Sequence, residues 1–287
     1  MDNDLYDYSP ITEREPIRWP GGARVAFYVG LNVEHFVVDQ PSTSLNQATS
    51  ALVPDPLNYG WRDYGPRVGI WRLTEIFDRH HLRPSVLLNS DVAARYPQII
   101  KAGLERDWAW LAHGRNNSTL QTGMNADSER AYLTEVIETI EHATGRRPRG
   151  WLGPGLTETF QTPRLLAELG LNYVLDWTSD DQPYRLNVPG MLSVPYSVEL
   201  NDLGIFTMQG LTGAQFVQTV TDQLDQLYAD SADSGRVMAL ALHPFVSGQP
   251  FRARYLEQAL EHVASHPGAW LATSDEIAEH YARTGPA

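Results

Sequence analysis

Strands alternating with helices along the whole chain predict an α/β protein built on a parallel sheet. Two observations carry this. Short apolar runs, among them Arg24 to Leu31, Pro84 to Leu88, Trp108 to Ala112 and Val237 to Leu242, are separated by segments of helical periodicity. Several runs then break abruptly into polar or aromatic residues, the pattern by which βα folds deliver side chains to one end of a sheet. The simplest architecture is one βα barrel, full or incomplete, with an open doubly wound sheet as the alternative.

Residues 1–23 are rich in Pro, Asp and Gly and read as an arm lying over the domain rather than as a core element; residues 24–287 form the barrel domain. The first strand runs straight into Asn32-Val33-Glu34-His35. Phe36 to Pro66 has little periodicity and reads as a long packed loop. A helix over Arg67 to His80 carries Ile70, Leu73, Ile76 and Phe77 on one face. Helical segments follow the second strand at Asn89-Ser90-Asp91 and over Pro97 to Arg106. The third strand leads into the cluster His113-Gly114-Arg115-Asn116-Asn117. Asp127 to Thr144 is a helix stopped by Gly145. Gly150 to Leu152 and Tyr173 to Leu175 are strands flanking a helix that opens at Thr162-Pro163. Met191 to Pro195 and Ile205 to Met208 read as strands, and Gly213 to Tyr228 as a helix. The last strand-helix units are Val237 to Leu242, Ala253 to Ser265, Ala269 to Ala272 and Ser274 to Tyr281, with Ser274 as N-cap.

Composition excludes several function classes. The 287 residues carry 22 Lys+Arg against 35 Asp+Glu, a net charge of −13, which argues against nucleic acid or an anionic membrane as partner. There is no cysteine, so disulfides, thiolate nucleophiles and Cys-ligated metal are excluded. The start Met1-Asp2-Asn3-Asp4 has no apolar signal region, and the longest aliphatic run, Val237 to Leu242, is far too short to span a bilayer. A cytoplasmic protein acting on a small molecule is expected. There is no glycine-rich phosphate loop, no helical His-Glu-x-x-His and no Gly-x-Ser-x-Gly elbow.

If the strand ends share one face, residues distant in sequence meet in one pocket. Glu34, His113 and His243 are the candidates for chemistry, because a carboxylate at a buried strand end is costly unless partnered. Asn32, His35, Arg115, Asn116, Asn117, Trp151, Asp176, Trp177, Asp180 and Asp181 are the candidate substrate contacts. His80, His81, His142, His262, His266 and His280 sit on helices or helix ends and read as surface or core histidines.

Leu31-Asn32-Val33-Glu34, Ala112-His113-Gly114, Gly150-Trp151, Asp176 with Asp180-Asp181-Gln182-Pro183-Tyr184, Leu242-His243-Pro244 and Gln249-Pro250-Phe251-Arg252 stand in a specific order. In that order the chain resembles the polysaccharide deacetylase (NodB-homology) superfamily, and within it the branch of metal-independent allantoinases and cyclic imide hydrolases. The resemblance implies a distorted, incomplete (β/α) barrel. It also exposes departures. Where metal-dependent members carry an Asp-Asp pair, this chain has Val33-Glu34, and the second histidine of their His-x-x-x-His motif is Asn117. The arginine of their third motif is replaced by Trp151. Asparagine is a poor zinc ligand, so no catalytic metal and no cofactor are expected.

In a cyclic imide, hydantoin or ureide the departing nitrogen is attached to a second carbonyl. Its charge is delocalised, so a general base and hydrogen-bond donors suffice where an acetamide would need a Lewis acid. The expected activity is therefore hydrolytic ring opening of a small planar cyclic amide. Glu34 acts on water, a histidine protonates the leaving nitrogen, Asn116 and Asn117 hold the carbonyl oxygen, and Trp151 and Trp177 sandwich the ring. The alternatives are a metal-dependent N-deacetylase of a sugar or small amide, and a non-catalytic binding barrel. A homo-oligomer is expected, with the Phe36–Pro66 loop and the arm as contacts.

Overall fold

One sheet of nine strands organises the protein, whose computed structural model describes residues 3–286. Met1 and Asp2 of the expected arm, and Ala287 at the end of the expected barrel domain, lie outside the described residues. The strands are β1 (Val25–Val33), β2 (Ser85–Leu88), β3 (Ala109–Ala112), β4 (Gly150–Trp151), β5 (Tyr173–Val174), β6 (Tyr184–Arg185), β7 (Leu192–Ser193), β8 (Arg236–Leu242) and β9 (Ala269–Leu271). The helices are α1 (Pro56–Tyr64), α2 (Ile70–Arg79), α3 (Ser90–Arg95), α4 (Pro97–Leu104), α5 (Ala126–Thr144), α6 (Thr162–Glu168), α7 (Gly213–Asp230), α8 (Pro244–Ser247), α9 (Pro250–Ser265) and α10 (Ser274–Thr284). None of the described helices is long and apolar enough to cross a membrane.

The order is β6-β7-β5-β4-β3-β2-β1-β8, with every pairing parallel except β6 with β7. β1 pairs with β8 along Val25 to Leu31. Its other edge is shared: Val25 to Phe27 pair with β9, and Gly30 to Val33 with β2. Among the described residues no strand ladder closes the ring between β7 and β8. Loop backbone spans the gap instead: Val237 N–H donates to Asp181 O at 2.8 Å, and Ala241 N–H to Leu200 O at 2.9 Å. The fold is thus a distorted, incomplete (β/α) barrel.

Period-two alternation divides the core in two. Val25, Phe27, Val29, Leu31, Val86, Leu88, Trp110, Ala112, Trp151, Leu240 and Leu242 face outward, against the helices. Ala26, Tyr28, Leu87, Leu111, Leu152, Leu175, Ala239 and Ala241 fill the barrel. Carried one step beyond the strands, the same parity turns Glu34, His113 and His243 inward.

Several expectations are corrected. The arm does more than lie over the domain, because Ile17 and Trp19 are buried in the inner core together with Ile277 and Tyr281 of α10. The segment 36–66 is not all loop: Pro56 to Tyr64 form α1, capped by the Asp55 side chain. Leu57, Trp61 and Tyr64 are spaced i, i+4 and i+7, but the stretch is short, opens on Pro56 and contains Gly60. A π-helical turn, Gly65–Gly69, joins it to α2, so the helix expected from Arg67 begins earlier. Ile205 to Met208 lie in a π-helical turn, Gly204–Met208, rather than a strand; four apolar-rich residues carry too little period to decide. The cap of α10 is Thr273, in a capping box with Glu276, rather than Ser274.

A backbone-to-backbone contact seats the turn after β8. A Cβ on Gly69 would lie 1.9 Å from the Pro244 carbonyl oxygen, and one on Gly248 would lie 2.4 Å from the Gly69 Cα. Because backbone cannot give way as a side-chain end can, Gly69→Ala is expected to lower stability by about 2–3 kcal/mol, read as a shift in the denaturant midpoint.

Candidate active site

Glu34, His113 and His243 meet at the C-terminal ends of β1, β3 and β8, with side chains only 5%, 2% and 6% exposed. His113 Nε2 lies 3.3 Å and His243 Nε2 3.8 Å from the same oxygen, Glu34 Oε1. Each ring is held from behind. His113 Nδ1 is 2.6 Å from the Leu152 carbonyl oxygen, which can only accept, so that nitrogen carries a proton. His243 Nδ1 is 2.7 Å from Asp202 Oδ1. Asp202 is fully buried, and its other oxygen accepts from the His243 N–H at 2.8 Å, the Ser247 N–H at 3.2 Å and the Ser247 hydroxyl at 2.6 Å. An acceptor of that kind makes His243 Nδ1 the donor as well.

Both Nε2 atoms therefore face one carboxylate oxygen, and two ring lone pairs against it would repel. A proton shared among these groups, on an imidazole or on Glu34, relieves that repulsion. Burial opposes charge on His243, but the Asp202 and Glu34 carboxylates outweigh it and raise its pKa above the ordinary 6.5. Burial likewise opposes ionisation of Glu34; His243, His113 and Asn117 prevail and hold its carboxyl below the usual carboxylate range. Both directions favour a charged His243 beside an ionised Glu34 in this buried centre. Among the described residues Glu34 Oε2 accepts no side-chain or backbone donor, and a small opening of about 10 Å³, lined in part by His35, Phe36, Tyr59, Arg62 and Tyr96, adjoins Glu34.

Asn89 sets the orientation of Asn117. Its Oδ1 accepts the His35 N–H at 2.8 Å, and its Nδ2 donates to the His113 carbonyl. Those backbone groups leave no choice of amide flip, so Nδ2 also donates, at 3.0 Å, to Asn117 Oδ1. Asn117 must then turn its N–H₂ to Glu34 Oε1, which it does. A metal at the position implied by the resemblance would need the Asn117 oxygen, yet that oxygen is occupied and the face toward Glu34 is a donor. These residues do not fit a metal, and among the described residues no group of three or more His, Asp or Glu is arranged to hold one.

The remaining sequence candidates divide. Asn32 joins the centre from β1, donating to Tyr196 Oη at 3.0 Å and the Leu242 carbonyl at 3.2 Å. His35 borders the opening, 3.4 Å from the Tyr96 hydroxyl. Asn116 is one layer away: its amide donates to Asp91 at 2.9 Å and caps the Ser118 N–H. Asp176 and Trp177 sit beside Glu158 at a separate cavity of about 740 Å³.

Others are not brought to the centre. Trp151 shares the register of Ala112 and Val174, so it faces the helices, fully buried, and cannot sandwich a ring. Arg115 turns outward to Glu135 on α5 at 2.5 Å. Asp180 pairs with Arg14 at 2.6 Å, and Asp181 takes the Val237 N–H at the start of β8, so both stand at the opposite end of the barrel. Asp202, Asn89 and Tyr196 complete the centre but stand out in no motif. Asp202 lies in a stretch that reads as a link between strands, and its signal emerges only with the buried His243 beside it.

Residues 61–174 match the family model for polysaccharide deacetylase. The chain is 30% identical to a probable polysaccharide deacetylase from Pseudomonas aeruginosa, covering 94% of each chain with a TM-score of 0.83. It is 27% identical to PuuE allantoinase, covering 98% of this chain and all of that one, with a TM-score of 0.87. To a peptidoglycan deacetylase from Helicobacter pylori it is 24% identical over 267 residues, 81% of this chain and 89% of that protein. With the barrel, the strand-end residues and these likenesses together, the chain belongs to the polysaccharide deacetylase family.

Proposed function

We propose that the protein hydrolyses a ring C–N bond of a small planar cyclic amide, an imide, hydantoin or ureide. One observation carries the reading: two imidazoles with pinned Nδ1 atoms converge on a buried carboxylate whose other neighbour, Asn117, is locked as a donor. Such a centre can hold and move protons. It suits a substrate whose leaving nitrogen is already stabilised by a second carbonyl. The likeness to PuuE allantoinase points the same way.

Water lying against Glu34 adds its oxygen to the ring carbonyl carbon and gives a proton to the Glu34 carboxylate. The carbonyl oxygen takes up charge as the tetrahedral intermediate forms. When that intermediate collapses, the C–N bond breaks and the nitrogen takes the Nε2 proton of His243. One water is consumed, and the product is an open-chain amide bearing a new carboxylic acid, whose ionisation and proton return from Glu34 to His243 reset the site. Asp202 keeps the His243 ring oriented and supports its charge.

Turnover screened over succinimide, maleimide, hydantoin, dihydrouracil and allantoin tests the reading, with and without EDTA. Ring opening that survives the chelator is expected. Loss of activity restored by zinc, or activity only on N-acetylated sugars, would overturn it in favour of a deacetylase.

Glu34→Gln is expected to lower kcat/KM by about 10²–10⁴-fold. The pH profile follows from the two shifts. His243 acts protonated and its pKa lies above 6.5, so the alkaline limb lies above 6.5. Glu34 acts ionised, and the acid limb falls below its ordinary 4.5. Asp202→Asn withdraws a carboxylate that supports the His243 charge and moves the alkaline limb to lower pH. Asn89→Ala leaves the buried His35 N–H and His113 carbonyl unpaired; a stability loss of about 2–4 kcal/mol is expected by denaturant titration.

A further inference from the structure

The peptide between Leu152 and Gly153 has one partner on each side. Its carbonyl oxygen accepts the proton of His113 Nδ1 at 2.6 Å, and its N–H donates to Asp176 Oδ1 at 2.7 Å. Asp176 lies beside the Glu158 carboxyl on the same cavity, so two acids share this place. Glu158 Oε2 accepts the Trp177 indole N–H at 3.1 Å. The two oxygens left without an N–H or O–H partner are Glu158 Oε1 and Asp176 Oδ2, both shielded from solvent. Two carboxyls in contact satisfy each other when they share one proton, and two bare carboxylates would repel.

A peptide polarises as a unit. A more negative acceptor on its N–H side makes its oxygen a stronger acceptor on the other, so hydrogen bonds in series reinforce one another. We propose that the Glu158–Asp176 acid pair is a positioning element for His113, acting through the Leu152–Gly153 peptide, and that loss of the shared proton tightens the hold on the His113 ring. It rests on the reading of His113 as part of the reactive centre, though the coupling itself does not depend on which substrate is turned over.

The groups around the pair favour a shared proton. Burial raises both acids, Glu158 to about 7, with the Asp176 carboxyl well above its usual range. Glu129 of α5 faces them and is itself fully buried, taking the Thr159 hydroxyl at 2.5 Å and the Thr162 hydroxyl. Arg164 of α6 and Asp4 of the arm line the same cavity. No described Lys or Arg forms an ion pair with Glu158 or Asp176.

The test uses full-length ¹⁵N-labelled protein without substrate, following the His113 Nδ1–H resonance from about pH 5 to about pH 9. His113→Gln assigns the signal. A downfield movement through the neutral range is expected in the wild type, as the pair loses its proton and the hydrogen bond to Leu152 strengthens. That component is expected to vanish in Glu158→Gln and in Asp176→Asn. Glu158→Gln leaves the bond from Gly153 in place and keeps the test alive if Asp176→Asn does not fold. Superposable profiles for wild type and Glu158→Gln would overturn the proposal. Failure of every ring substrate with the component still present would overturn the proposed function and leave this coupling standing; turnover with superposable profiles would do the reverse.

Discussion

A buried carboxylate is expensive unless its charge is answered, and Glu34 is the charge around which this end of the barrel is arranged. Its Oε1 meets two imidazoles and an amide, and each of these is fixed from behind by a group that cannot turn. Leu152 holds His113 with backbone, Asp202 holds His243 with a carboxylate that takes three further hydrogen bonds, and Asn89 holds Asn117. The result is preorganised before any ligand arrives. Oε2 is the part of Glu34 not engaged in this work.

One anchor is backbone and the other two are side chains held by backbone groups, whose position is set by the sheet. His113 follows β3 by one residue and donates its own N–H to Leu88, so it remains on the ladder although it is no longer in the strand. Asn89 holds the equivalent place after β2 and bridges the ends of β1 and β3 through His35 and His113. The polar centre is therefore an extension of the parallel ladder by one step. This explains how three residues far apart in the chain come together with little loop between them and the strands.

Much of this was legible in the residues themselves. The apolar runs, their polar ends and the alternation within β1, β3 and β8 give the barrel and bring Glu34, His113 and His243 to one face. Trp151 shows where motif order misleads: it stands beside the right strand end but on the odd side of a period of two, and parity sends it to the helices. Asp180 and Asp181 mislead differently. They follow Asp176 closely in sequence, but the chain crosses the barrel in between, and they brace the gap at its far end with Arg14 and Val237.

By itself, the sequence determined which strands form and which side chains each could send inward, because period-two alternation and the polar break at a strand end are local properties. It also determined that any centre here must work with carboxylates, imidazoles and amides. Only the tertiary structure decided which of those groups meet. Asp202 reaches His243 from the turn just before the π-helical Gly204–Met208, the Leu152–Gly153 peptide joins His113 to Asp176, and Asn89 turns the amide of Asn117. None of these can be read from residue type or spacing along the chain alone. Each depends on where a backbone donor or acceptor comes to rest, and that is settled only when the sheet curls and the loops close over it.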